Sequence, residues 1–409
     1  MRRGPLSLGR LGITPSTVEG LRAAILIAVA IVTVATAQSR PPFSIVEASI
    51  TDMRRALEEK RVTSRELVQQ SLTRIALYED RINAIITVNP RALQEADERD
   101  RERAAGRVRG PLHGIPIALK DNIQTTDMRT TGGALAFADL VPPYDATVAK
   151  NLREAGAIVI AKTQMTELAN WVTVGMPANY NSLNGYGFNP YDPRRDPRPE
   201  FADGRPALAT GGSSSGTGTT ASFWAANVGT ETSGSILNPS NQNMLVGIEP
   251  TVGRVSRYGI IPITADQDTA GPMARTVTDA AIMLGAMEGA SPDPQDAATS
   301  TCIPPPGRDY TRFLDAGALK GARIGVPRAF YYDPVKLLGT SELLGGLAAD
   351  QRRAMEQAID VLKAMGTTVV DPADIPSVVD TDRERNFLSW PIDRKSTRLN
   401  SSHVSESRM

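Results

Sequence analysis

The chain has 409 residues, 41% hydrophobic and 22% charged, enough apolar material for one large domain or two ordinary ones. Its 45 basic side chains balance its 45 acidic ones, which argues against a nucleic acid or other polyanion as partner. One Cys and two His exclude an internal disulfide and leave no ligand cluster for a metal.

At the amino terminus, Arg2, Arg3, Arg10 and Arg22 precede an apolar run from Ala23 that closes in Ala35-Thr36-Ala37. A basic start, an apolar run and a small-x-small ending predict a secretory signal peptide over 1–37 and an exported protein, periplasmic or secreted. The run is about 15 residues, short of the roughly 20 that cross a bilayer. Left uncleaved, it would act as a membrane anchor.

Residues 39–110 read as helices. Thr63 and Glu66 form a capping box, followed by Val68, Leu72 and Ile75 on one face. Arg91 to Ala105 is a charged helix. Gly110 to Lys120 turns into a short apolar strand with Lys120 at its end. Asp145 is expected to cap a helix that carries Val148 and Leu152 and stops at Gly156. Ala157 to Ala161 then reads as a buried strand. This alternation predicts an α/β protein.

Residues 172–210 are rich in Asn, Pro, Gly, Asp and Arg and predict a long loop, a frequent carrier of function. Gly211 to Ser235 reads as a turn, a helix around Thr219–Ala226 and a second turn. Arg323–Val326 begins a further strand. Met355, Ile359 and Leu362 mark a helix ended by Gly366, and Thr367–Val370 reads as the next strand. From Arg394 to Met409 the chain is Ser- and base-rich with three apolar residues, Leu399, Val404 and Met409. The segment 394–409 is expected to be a disordered or non-native tail.

Three positions carry the chemistry. Lys120 closes Gly114–Lys120, Ser213 lies in Gly211–Gly216, and Ser235 ends Gly229–Ser235. A Ser hydroxyl needs a base to act as a nucleophile at neutral pH, and the usual base is His. The two His are His113 and His403, and His403 lies in the tail, so Lys is the candidate base. Each motif alone has a plain structural reading. Gly211–Gly218 can be a turn or linker, Lys120 a solvated strand end, and Ser235 a helix N-cap. The Gly-Lys-Ser/Thr ending of a phosphate loop is missing. The Ser-x-x-Lys start of penicillin-recognising enzymes is also absent, because Ile117 stands three residues before Lys120.

Together, Gly114–Asn122 (GIPIALKDN), Gly211–Gly218 (GGSSSGTG) and Gly229–Ile236 (GTETSGSI) resemble the three core motifs of the amidase signature family. The similarity continues through Val246–Ser256 and Gln267–Thr276 and covers roughly Ile45 to Val370. The resemblance implies a single large α/β/α domain with a central mixed, twisted sheet covered by helices, expected over 38–393 and shortened at its carboxyl end. It implies a Ser–Ser–Lys triad: Ser235 as nucleophile, Ser213 as bridge after a cis Gly212–Ser213 bond, and Lys120 as base. The implied oxyanion hole is the backbone N–H groups of Thr232, Ser233, Gly234 and Ser235, with Ser214 as a supporting hydrogen-bond partner. Neither a cofactor nor a metal is implied.

Chemically, the resemblance implies amide hydrolysis, with a small-molecule or peptide amide as partner and no indication of oligomeric state. Burial beside Ile115, Ile117 and Leu119 would lower the Lys120 pKa so that it can take a proton. The export signal and neutral charge argue against one relative, the component of the tRNA-dependent amidotransferase. The competing expectation is a non-catalytic or inactive fragment that keeps the fold. It rests on the shortened end and on the stretch from Ser213 to Ser235, about two residues shorter than the family pattern. Within a helix, that deletion would rotate all later residues by roughly 200°. Leu237 also stands where many members have Arg.

Overall fold

The computed structural model describes residues 42–172 and 176–389; the expected leader and tail lie outside them. Caps start the first helices. Ser49 opens α1 (Ile50–Glu58), its side chain accepting from Asp52 N while the Asp52 carboxylate accepts from Ser49 N. Thr63 and Glu66 do the same for α2 (Ser64–Ile82), as the sequence predicts. Helix α2 ends at Asn83 in the left-handed region, and β1 (Ile85–Val88) follows. The charged segment forms α3 (Ala92–Ala104), which buries Ala92 and Ala96.

Next come β2 (Pro116–Lys120), α4 (Thr147–Glu154) and β3 (Ile158–Thr163), with every residue of both strands buried. Apolar residues up to their last one or two positions suit parallel strands covered on both faces. Asp145 does not cap α4. Its carboxylate accepts from Thr126 N at 2.7 Å and faces Arg153, so it ties two loops together instead. The long loop contributes a short hairpin of β4 (Tyr180–Asn181) and β5 (Gly185–Tyr186).

The expected helix over Thr219–Ala226 is corrected. Helix α5 is one turn (Thr217–Thr220), and Ala226 begins a central strand, β6 (Ala226–Glu231). Ser222 takes a left-handed φ of 56° that turns the chain out of the helix, and Ala225 N then bonds to Pro116 O beside β2. The run Phe223-Trp224-Ala225 is compatible with either element by pattern, and tertiary burial decides. Helix α6 (Leu237–Gln242), β7 (Val246–Gly247), β8 (Thr269–Ala274) and α7 (Val277–Met287) complete this part.

The six strands order as β1-β3-β2-β6-β8-β7. Strand β2 runs parallel to β3 and β6, whereas β1, β8 and β7 pair antiparallel with their neighbours. The sheet is therefore mixed. Val68, Ile75 and Ile82 of α2 join Ala118, Ile158, Phe223 and Trp224 in one buried cluster. Further on, β9 (Arg323–Gly325) pairs parallel with β12 (Thr368–Val370), with the hairpin β10 (Val335–Lys336) and β11 (Leu343–Leu344) and the helix α8 (Ala349–Ala364) between them in sequence. A small core of Val326, Tyr332 and Ile359 holds this part; Met355, expected on the apolar face of α8, is exposed.

Trp224 packs edge-to-face on Phe223 and donates from Nε1 to Thr219 Oγ1 at 2.8 Å. Trp224→Ala is expected to cost about 3–5 kcal/mol, measured as a lower urea midpoint.

Candidate active site

The site is built where two parallel strands end. Alternation along β2 places Ala118 and Lys120 on one face of the sheet. Lys120 is fully buried at the strand's last position. Its Nζ lies 3.0 Å from Ser213 Oγ, 2.9 Å from Thr230 Oγ1 and 3.3 Å from Thr230 O. These contacts use all three ammonium protons and leave no unpaired donor when the amine is charged. Burial nevertheless disfavours the charge and lowers the Lys120 pKa from 10.5 to about 7, against the opposing pull of Glu231 and Asp268.

Ser213 Oγ lies 2.8 Å from Ser235 Oγ, so Lys120, Ser213 and Ser235 form one unbroken chain of contacts. Exposure rises along it, from Lys120 at 0% to Ser213 at 2% and Ser235 at 9%. A charged Lys120 orients the hydroxyl protons outward; a neutral one accepts, and both hydroxyls can rotate inward. Ser213 and Ser235 meet because glycine lets two turns touch. Gly211 has φ +93°, and a Cβ there would stand 2.3 Å from Pro239 Cα. The expected cis bond at Gly212–Ser213 is not found: among the described residues the cis peptide bond is Asp371–Pro372. Ser213 Oγ reaches both Lys120 Nζ and Ser235 Oγ without a cis bond at Gly212–Ser213.

The turn after β6 is held from behind. The buried Glu231 carboxylate accepts from Ile236 N and from Leu237 N, the latter at 2.9 Å, and also faces Gly234 N–H. Gly234 has φ +125°, a conformation suited to glycine. The N–H groups of Thr232, Ser233 and Ser235 bond no acceptor among the described residues, whereas Gly234 N–H is directed toward Glu231. Ser214 pins the two turns together: its Oγ donates to Thr230 O at 3.1 Å, and its N–H donates to Ser235 O at 3.2 Å.

Several site residues escape the sequence reading. Thr230 is a direct partner of Lys120, Asn122 donates to Thr230 Oγ1 at 3.0 Å, and Asp268 accepts from Thr232 Oγ1 at 2.6 Å. Thr230 and Asn122 lie inside the core motifs, so their place in the motif was the available signal. Asp268 lies far along the chain and had no such signal beyond its own stretch of similarity. His113 is buried elsewhere, its Nε2 2.9 Å from Arg99 O, and takes no part.

The deletion expected to displace the triad has no such effect. Lys120 Nζ, Ser213 Oγ and Ser235 Oγ remain in contact at 3.0 and 2.8 Å, and the helix between the two serines is a single turn, Thr217–Thr220. Beside Ser235, Leu168, Ala169 and Asn170 are three consecutive left-handed residues. Ala169 lines the crevice at Ser235, an apolar cavity of about 180 Å³ with Phe137, Trp171 and Ile261, and a larger one of about 470 Å³ with Thr230 and Thr232. The three spaces therefore meet at one residue.

A mixed sheet in which a central strand ends in a buried Lys that meets two Ser from adjoining turns in one contact chain defines an amidase-signature fold. The chain belongs to the amidase family: the family model named Amidase matches residues 66–404. It is 42% identical over 292 residues to an Arabidopsis thaliana protein named as a probable amidase, covering 69% of this chain and 54% of that one. It is 38% identical over 314 residues to a protein of Arthroderma benhamiae named as a putative amidase, covering 76% and 49%. Among solved structures, native peptide amidase from Stenotrophomonas maltophilia superposes with a TM-score of 0.69 at 35% identity, covering 90% of this chain and 73% of that one. The chain spans about half the length of these two curated relatives.

Between pH 7 and 10.5 the unfolded chain holds a proton on Lys120 that the folded chain lacks, so this group makes stability rise with pH across that window. Lys120→Met is expected to flatten the rise in urea midpoint over the same range.

Proposed function

We propose that this protein hydrolyses a carboxamide C–N bond through an acyl-enzyme on Ser235. The observation that carries the reading is the continuous contact chain from Lys120 through Ser213 to Ser235, at a crevice that opens on Ser235. Neutral Lys120 draws a proton from Ser213 as Ser213 takes one from Ser235, and Ser235 Oγ attacks the amide carbonyl. The developing oxyanion is met by the backbone N–H groups of the turn Thr232–Ser235, with those of Thr232, Ser233 and Ser235 unengaged. Each such donor is worth about 3–4 kcal/mol in comparable sites. Collapse breaks the C–N bond, the proton returns along Ser213 to the leaving amine, and water cleaves the ester by the same relay.

Substrate class follows from the walls. Phe137, Leu168, Trp171 and Ile261 suit an apolar or aromatic group beside the scissile amide. A small-molecule or peptide amide fits this reading, and similarity to a solved peptide amidase supports it. The unbroken contact chain favours turnover over the alternative of a non-catalytic copy of the fold.

On aryl amides, Ser235→Ala is expected to lower kcat by at least about a thousandfold. Wild-type kcat/KM should rise with pH through a limb near 7, because the reactive form of Lys120 is the uncharged one. Turnover unchanged in Ser235→Ala would end the assignment.

Export is proposed from the leader alone. Amino-terminal sequencing of protein recovered from the periplasm or medium should begin at Gln38; a start at Met1 would overturn cleavage.

A further inference from the structure

A second lysine lies fully buried one strand away from the first. Lys162 of β3 stands across from Leu119 in register, and Thr163 stands across from Lys120. Alternation therefore sends Lys162 to the face of the sheet opposite Lys120. There it meets Asp121, the residue that follows the base, with Nζ 3.5 Å from Asp121 Oδ1 and both side chains fully buried. Lys162 Nζ also donates to Thr130 Oγ1 at 2.8 Å and to Arg129 O at 3.3 Å. Asp121 Oδ2 accepts from Thr131 N at 2.9 Å and from Thr131 Oγ1.

The surrounding charges are accounted for. Burial pulls the Lys162 pKa below its ordinary value, Asp121 opposes this most strongly, and Asp127 and Asp145 add smaller support, while Arg153 pairs with both of those and with Glu95. The Arg129 guanidinium bonds to Ala138 O instead. On the other face, Glu231 and Asp268 already favour a charged Lys120. Asp121, one residue along the chain from Lys120 and on the opposite face of the strand, is a third buried carboxylate at this end of the sheet. Lys162 is the cation in contact with it.

We propose that Lys162 and Asp121 are a positioning pair for the base: by neutralising Asp121 across the sheet, Lys162 keeps that carboxylate from holding Lys120 in its charged, unreactive form. The pair also grips residues 129–131 and so fixes the end of β2 from which Lys120 projects. The inference rests on the reading of Lys120 as the base.

The test is the pH profile of kcat/KM on an aryl amide for wild type, Lys162→Met and the double variant Asp121→Asn/Lys162→Met. Leaving Asp121 unpaired should move the acidic limb of Lys162→Met upward by about one pH unit, read as a roughly tenfold loss at pH 6 that is regained by pH 9. Removing both charges should return the limb to its wild-type position. An equal loss at every pH with the limb unmoved, or a double variant whose limb stays displaced, overturns the proposal. If Lys162→Met does not fold, the double variant decides: a folded protein with the wild-type limb supports the pair, and a displaced limb or an unfolded double variant overturns it. A wild type without amide turnover, or with no limb, overturns the amide-hydrolysis reading and this inference together, and is distinct from a limb that ignores the substitution.

Discussion

The site depends on an amine placed where water cannot reach it. Lys120 loses its hydration at the end of β2 and receives three oxygen contacts in exchange, from Ser213 Oγ, Thr230 Oγ1 and Thr230 O. That exchange is incomplete for an ammonium ion: carrying the charge there costs roughly 5 kcal/mol relative to water. The same deficit makes the amine available as a proton acceptor near neutrality. Geometry and electrostatics are thus two results of one burial.

The sheet order serves that burial. Strands β3 and β6 flank β2 on both sides, and the parallel pairing brings the ends of β2 and β6 together. Lys120 closes one strand, and Thr230 and Glu231 close the other. The turn after β6 then swings back over Ser213, with Glu231 holding its amides from beneath. Around this centre the small residues have a steric purpose. A side chain at Gly211 would collide with the backbone at Pro239, and the contact between the two serine turns would be lost.

Charge is distributed with the same economy. Acidic groups near the site are either held by backbone amides, as Glu231 and Asp268 are, or faced by a buried cation, as Asp121 is. None of them touches Lys120 directly among the described contacts. Lys120 therefore sits among carboxylates, with hydroxyls as its nearest neighbours.

Local signals were legible where the chemistry is local. The Thr63–Glu66 cap, the apolar strand ending at Lys120, the buried strand after Gly156 and the glycine-flanked serines could all be read from neighbouring residues. Other features depend on what lies across the fold. Phe223–Ala225 fits a helix or a strand until β2 and β8 claim Ala226–Glu231, and Asp145 looks like a cap until Thr126 and Arg153 reach it. Thr230 as partner of Lys120, Asp268 behind Thr232 and Lys162 opposite Asp121 are contacts between residues far apart in sequence. The amino-acid order determined which groups can react and which turns can form, because those properties belong to side chains and short stretches. Which groups touch, and which lose water, only the folded sheet decided, because burial is a property of the whole packing and not of any segment.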